Sequence, residues 1–367
     1  MALPLTDNFE KLIIDKIPLI DVRAPIEFEK GAFPTAYNLP LMNNEERKKV
    51  GICYKQNGNA AALKLGHKLV SDTIKEVRIQ AWINLIEENP NAILYCFRGG
   101  QRSRISQQWL HDAGYPITRI KGGYKAFRNY LLTALDTMQN RFTPILLGGR
   151  TGSGKTLLLH KINHMIDLEG IARHRGSAFG EHIQPQPAQI DFENSLAFAL
   201  IQKLHLGFKH LVFEDEGKNV GRLYLPQNFF ETIAHSGLVI LETPLDERIE
   251  ITFNEYVKDA QNRYQKLYGT QRGTQQWAKT IQSSIDRIQR RLGGKRHKEI
   301  TELFEIAYKT QQIDYDLSKH KQWIQPLLKD YYDPMYDYQI KKRENEIIFR
   351  GDEDAVYEYL QGLVVKN

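Results

Sequence analysis

Cysteine is nearly absent from this chain: its 367 residues include only Cys53 and Cys96. Two thiols cannot build a disulfide framework, so a reducing, cytoplasmic setting is expected and a small secreted scaffold is excluded. Also missing is any apolar run near the roughly 20 residues that a membrane-spanning helix needs. The opening stretch, MALPLTDNFEKLIIDK, has acidic residues early and no unbroken apolar core, so it does not read as a secretory signal. There is no internal repeat and no low-complexity tract, which argues against solenoids and disordered tails. Nor does one sign of charge dominate. With 50 Lys and Arg against 44 Asp and Glu, the net charge is +6. A value this small serves plain solubility as well as binding, so any nucleic-acid surface must come from local clustering.

What is present is the composition of an ordinary globular protein, 41% hydrophobic and 26% charged. The length is sufficient for two cores. Residues 12–22, LIIDKIPLIDV, read as short β segments, and a helical stretch runs through NAAALKLGHKLV. The buried strand AILYC (residues 92–96) leads through FRGGQR into the helix SRISQQWLHDAGY. A further strand, ITRIKGG, covers residues 117–123. Strands alternating with helices predict a parallel α/β sheet. This first domain is placed at residues 1–133 and a connector at 134–142. A second domain, 143–367, opens with the strand TPILLGG and the turn RTGSGKT, followed by a helix over LLLHKINHMIDLEG. Strands HLVFEDE (210–216) and GLVILE (237–242) follow, and then a charged, helix-compatible C-terminal region. The expected fold class is therefore α/β twice over, with a helical C-terminal part.

Two motifs carry chemistry. Gly149–Thr156, GRTGSGKT, fits G-x-x-x-x-G-K-[ST] in full and sits between an apolar strand and a helix. Gly149, Gly152, Ser153 and Gly154 let backbone N–H groups turn inward around an anion. Lys155 adds a point charge, and Thr156 a hydroxyl able to ligate Mg²⁺. Among Glu214, Asp215 and Glu216 at the end of a neighbouring strand, Asp215 is the candidate outer contact for that ion; a solvated acidic strand end is the plain alternative. The motif defines a site for an oligophosphate, not ATP hydrolysis in particular.

Cys96 ends an apolar strand and opens CFRGGQRS. Glycines that let the loop curl, the N-terminus of the next helix, and Arg98 and Arg102 nearby all favour a thiolate at this place. Such a loop can hold a thiolate, a persulfide, a selenium adduct or an oxyanion. The C-x5-R spacing from Cys96 to Arg102 is shared with cysteine-dependent phosphatases. It gives a loop wide enough for a tetrahedral phosphate-like group, such as phosphate, selenophosphate or thiophosphate. Cys53, in VGICYKQNG, lacks this setting and reads as structural.

A third feature is a basic string, RIQRRLGGKRHK at 287–298, with six Lys or Arg, one His and no acid. Arg287, Arg290, Arg291, Lys295 and Arg296 suit contacts to phosphates, and the three arginines fall at i, i+3 and i+4, the spacing of one helix face. An ordinary solvated face would look similar. In WIQPLLKDYYDPMYDYQIKKR the aromatics Tyr331, Tyr332 and Tyr336 have two readings, packing or stacking on an extruded base.

LIDVRAPIEFEKGAFPTAYNLPL, CFRGGQRS and IKGGYKAFRNYL together resemble a rhodanese-like domain. Joined to LGGRTGSGKT, LEGIARHRGSAFG and the late DYYDPMYDYQ, they resemble the tRNA 2-selenouridine synthase family over essentially the whole chain. The resemblance implies a transferase that replaces sulfur by selenium at position 2 of the wobble uridine in the tRNA anticodon. It implies selenophosphate and geranyl diphosphate as substrates, an S-geranyl intermediate, and no membrane. It makes Cys96 the rhodanese cysteine and Gly149–Thr156 the P-loop, and the enzyme that supplies selenophosphate a candidate partner. Three rivals stay open: a tRNA sulfurtransferase fed by a persulfide, a C-x5-R phosphatase fused to a P-loop regulatory domain, and a non-catalytic tRNA-binding ATPase.

Overall fold

The computed structural model describes residues 3–177, 179–180 and 183–364. The chain forms two compact units, residues 1–139 with 187–206, and residues 140–186 with 207–367.

The first unit is built on an all-parallel sheet of five short strands, β1 (Leu5–Thr6), β2 (Leu19–Asp21), β3 (Ala36–Asn38), β4 (Ile93–Tyr95) and β5 (Thr118–Ile120), in the order β1-β5-β4-β2-β3. Ile20, Val22, Leu94 and Cys96 pack on one side with Trp82, Leu110 and Ile117. On the other side Phe33 packs against Phe127 and Phe198, with ring centroids 4.4 and 6.5 Å away.

Phe198 lies on the helix Gln189–His205, which belongs to this unit and not to the one that surrounds it in sequence. Its Asp191 accepts from the Ala32 amide at 2.6 Å, and Asn194 donates to the Ala32 carbonyl at 2.6 Å. The sequence reading keeps all of 143–367 together. Residues 187–206 depart from that division because eight buried residues of the helix, from Phe192 to Leu204, find their partners in the first unit. Two other expectations also change. Residues 9–14 are helical, not β, since the Asn8 side chain caps the turn by accepting from the Lys11 amide at 3.1 Å. The proposed connector is mostly helix: Gly123–Thr137 runs into it and a 3₁₀ turn continues to Arg141.

The second unit has its own all-parallel sheet. Its strands are β6 (Thr143–Gly148), β7 (Met165–Ile166), β8 (His210–Glu214), β11 (Gly237–Leu241) and β12 (Ile347–Gly351), in the order β12-β11-β6-β8-β7; β9 (Asn219–Val220) and β10 (Leu223–Tyr224) form a small antiparallel pair. The helix expected over LLLHKINHMIDLEG is broken. Lys155–Leu159 is helical, Met165 and Ile166 pair with Val212 and Phe213, and a new turn, capped by Asp167, starts at Leu168. The C-terminal helices pack around Trp277, Phe304 and Trp323. Tyr331 and Tyr332 are buried in that core and serve as packing residues.

Candidate active site

Both loops singled out by sequence lie just beyond the carboxyl ends of central parallel strands, where open α/β sheets place ligands. Cys96 follows β4, and Gly149 follows β6.

In the first unit the glycines of IKGG shape the thiol loop. Gly123 sits at φ +61°, and a Cβ there would fall 2.2 Å from the Cys96 carbonyl oxygen and 2.4 Å from the Gly99 nitrogen. That close approach lets the Tyr124 amide donate to Cys96 O at 2.8 Å and the Lys125 amide to Phe97 O at 2.9 Å. Arg119 reaches in from β5 and donates to the Gly99 carbonyl at 2.6 Å. Gly123→Ala should therefore deform the loop itself. We expect loss of Cys96-dependent turnover by at least about tenfold, since backbone strain of this kind costs about 1–3 kcal/mol before the clash is counted. Turnover at the wild-type rate would show that the loop tolerates the displacement.

Cys96 is only 2% exposed, and its Sγ lies 3.1 Å from Ser103 Oγ. The residue still lines a cavity of about 740 Å³ together with Arg23, Lys30, Arg98, Arg102 and Tyr124. The helix Gln101–Asp112 begins at this loop, so its N-terminal partial charge adds to the basic lining. Arg98 is exposed at the rim. Arg102 also lines the cavity, but its guanidinium is engaged by Glu27, with bonds of 2.6 and 3.1 Å. Glu27 bonds Arg47 too, at 3.1 Å. Although burial opposes it, the two arginines hold the Glu27 carboxyl below the usual carboxylate range. Arg23 is fixed differently. It is buried, forms a bidentate pair with Asp21 at 2.6–3.0 Å, and lies 3.9 Å from the Tyr124 ring centre. Neither Glu27 nor Arg119 stands out in the sequence, because each acts by tying down a residue far along the chain.

In the second unit a cavity of about 350 Å³ brings together Gly149, Gly152, Ser153, Gly154, Lys155 and Thr156. Gly152, at φ +78°, leaves no room for a side chain, since a Cβ would meet Thr252 Oγ1 at 2.4 Å. Lys155 Nζ donates to the Gly149 carbonyl at 2.6 Å, and burial pushes its pKa below the ordinary lysine value. The Ser153 hydroxyl is buried, with no hydrogen-bond partner among the described residues. The loop is braced from outside. Arg248 donates to Thr151 O at 3.0 Å and is held by Asp333. Arg150 pairs with Asp337, and the Tyr336 hydroxyl accepts from the Gly149 amide. Asp333, Tyr336 and Asp337 all belong to the helix Asp333–Lys342. Tyr336 is thus a contact of the phosphate loop and not a member of the buried core.

The carboxylates differ from expectation. Asp215 lines the cavity, yet it is paired with Arg343. No group of three His, Cys, Asp or Glu suited to a metal occurs among the described residues. The sequence reading favoured Asp215 because strand ends commonly carry the metal carboxylate; it could not show the arginine 128 residues away. Glu216 and Glu169 also line the cavity. Glu169, from the LEGIARHRGSAFG string, accepts from the Gly176 amide at 2.6 Å, and Glu216 lies against the bare Cα of Gly176. Glu216 is pushed up to about 8, first by burial, then by the charge and hydrogen bond of Glu169.

A stability consequence follows. Unfolded, Glu216 titrates near 4.5, whereas folded it titrates near 8. Between these values the folded unit keeps a proton that the unfolded chain has released, so stability falls as pH rises from about 4.5 to about 8. Glu216→Gln should flatten this slope. Its melting temperature should exceed that of the wild type by several degrees at pH 8, and the gap should close below pH 4.5. Parallel melting curves across that range would count against the shift.

The basic string is exposed throughout at Arg287, Arg290, Arg291, Lys295 and Arg296. The single helix face expected for the three arginines is interrupted. The helix Thr270–Arg287 ends, Ile288 turns into the core, and the short helix Gln289–Leu292 stops at Gly293, φ +84°. Arg296 also donates to the Asp330 carbonyl at 3.0 Å.

A strand, thiol loop and helix in one unit, and a strand, phosphate loop and helix in the other, define a rhodanese-like domain joined to a P-loop domain of AAA type. Residues 5–130 match the rhodanese-like domain family, and residues 142–366 match the family described as the tRNA 2-selenouridine synthase AAA domain. The chain belongs to the tRNA 2-selenouridine synthase family. It is 55% identical over 98% of both chains to a tRNA 2-selenouridine synthase of Sulfurovum sp. (strain NBC37-1). It is 49% identical to that of Hydrogenovibrio crunogenus, over 97% of this chain and 98% of that one. To that of Shewanella halifaxensis it is 46% identical, over 96% and 97%.

Proposed function

We propose that this protein converts 2-thiouridine to 2-selenouridine at the wobble position of tRNA in two steps, using geranyl diphosphate and then selenophosphate. The observation that carries the reading is the pairing, in one chain, of a lysine-centred oligophosphate cavity with a basic cavity that opens on a single cysteine. The names of its relatives supply the tRNA.

In the first step the phosphate loop holds the diphosphate, with Lys155 and the loop amides neutralising the charge that develops as it leaves. The nucleoside sulfur bonds to C1 of the geranyl group, the C1–O bond breaks, and diphosphate departs. Alkylation also releases the proton on N3 of the base to solvent.

The second step exploits the thioether made in the first, a better leaving group than the original C2=S sulfur. Selenophosphate sits in the basic cavity, where Cys96 positions its selenium and Arg98 and Lys30 face its phosphate. Selenium adds to C2, the C2–S bond breaks, geranylthiol leaves, and water cleaves the P–Se bond to give phosphate. The exposed Arg287, Arg290, Arg291, Lys295 and Arg296 hold tRNA phosphates without reading sequence.

The test is mass spectrometry of nucleosides from tRNA incubated with geranyl diphosphate and selenophosphate, for wild type and for variants of each loop. A persulfide that replaced selenophosphate, with 2-thiouridine formed in place of 2-selenouridine, would move the assignment to a sulfurtransferase.

A further inference from the structure

The Cys96 cavity does not end at its basic lining. Through Arg47, Tyr54, Gln101 and Arg102, which border both spaces, it adjoins a second cavity of about 500 Å³ in the same unit. The floor of this second space is apolar, formed by Leu41, Met42, Ala62, Val70, Ile105 and Trp109. Trp109 is held in place by Trp82, 6.4 Å away, and by Lys75 over its ring at 4.7 Å.

The wall is a helical segment with an unusual composition. Asn44–Leu69 is divided by Gly58, at φ +78° and ψ −175°, into two arms. The arms approach closely, with Val50 Cγ2 3.9 Å from where a Cβ of Gly66 would stand. They leave Ile52 and Tyr54 about half exposed, at 47% and 58%. Six Lys or Arg (Arg47, Lys48, Lys49, Lys55, Lys64, Lys68) lie on this segment against two acids, Glu45 and Glu46, and Glu46 is already paired with Arg78. An apolar pocket ringed by cations suits a ligand that is both greasy and polyanionic. A free lipid offers the first property and bare tRNA the second. A prenylated nucleotide within tRNA has both.

We propose that this chamber receives the geranyl chain of the S-geranylated wobble nucleotide while selenium replaces its sulfur at the adjoining Cys96 loop, with the phosphates on either side held by Lys48 and Lys55. The proposal rests on the two-step reading above. Glu27 stands at the doorway, clamping Arg47 and Arg102 on the same carboxylate, and so fixes the passage between the greasy and the charged compartment. In this arrangement the chain is a handle as well as a leaving group. Burying it brings C2 of the base up to the selenium.

The experiment supplies the full-length protein with tRNA already carrying S-geranyl-2-thiouridine or S-methyl-2-thiouridine, together with selenophosphate, and measures kcat/KM for 2-selenouridine formation. Burial of most of a ten-carbon chain predicts that wild type prefers the geranyl substrate by at least about a hundredfold. Leu63→Trp and Val50→Trp, two half-buried lining positions filled from opposite arms, should each reduce that preference to within a few-fold of unity. Both should leave geranylation of unmodified 2-thiouridine tRNA at the wild-type rate, which also shows that they fold. A wild type that treats geranyl and methyl alike overturns the proposal. So do filled variants that keep the preference, or that lose geranylation in place of selenation, since the chamber would then serve geranyl diphosphate. A wild type that makes no S-geranyl tRNA and selenates only unalkylated 2-thiouridine removes the two-step reading first, and is told apart by the wild-type arm alone.

Discussion

Lys155→Ala is expected to lower geranyl transfer by about 10²- to 10³-fold, the usual loss when one donor to a developing oxyanion is removed. Two features make the effect large. Lys155 is half-buried, and its charge is disfavoured there by desolvation, so an incoming diphosphate relieves a cost that the loop already bears. Its Nζ also bonds the Gly149 carbonyl at 2.6 Å and so is aimed along the loop that would cradle the phosphates. In the nucleoside assay this variant should accumulate 2-thiouridine, with neither the geranylated nor the selenated form. Given tRNA that is already S-geranylated, it should make 2-selenouridine at close to the wild-type rate. Unchanged geranylation would remove geranyl diphosphate from the phosphate loop and leave a nucleotide as the better occupant.

Cys96→Ser should give the complementary block. Serine keeps the size of the side chain and can still bond Ser103, so the buried loop should persist, but the soft, ionisable sulfur is gone. Selenation should fall by at least about a hundredfold, in line with loss of the group that orients the attacking selenium. Geranylation should be untouched, and S-geranyl-2-thiouridine should build up. A serine variant with full selenation would show that the cavity works without its thiol, and the reading of Cys96 as the reactive centre would fail.

The sequence made both loops legible because each is a local pattern, with a strand, a glycine turn and a helix inside about twenty residues. The two parallel sheets were legible for the same reason: Ile93–Tyr95 and Thr143–Gly148 are short apolar runs that lead into glycine-rich turns. What escaped was non-local. Asp215 looked like a metal ligand until Arg343 was placed against it, and Arg102 looked like a free phosphate ligand until Glu27 was. Tyr336 carries no mark in the sequence that ties it to Gly149, 187 residues earlier. Glu169 lay within a recognised string, but only the fold beside Gly176 brings it to the lysine. Local periodicity failed where Met165 and Ile166 left a helical pattern to pair with β8, a tertiary contact overriding propensity, and where residues 12–14 of an apparent β run joined a capped helix.

The helix Gln189–His205 has a practical consequence for anyone who wishes to study the thiol half alone. A protein truncated after residue 139 would retain all five strands and Cys96, and yet it would bare Phe33 and Phe127 and strand the Ala32 amide without its acceptor. Such a fragment invites aggregation, whereas grafting residues 187–206 back through a short tether restores the missing lid on its greasy side. The coding order of this enzyme and its modular order are therefore different, and half-molecules should be designed from the latter.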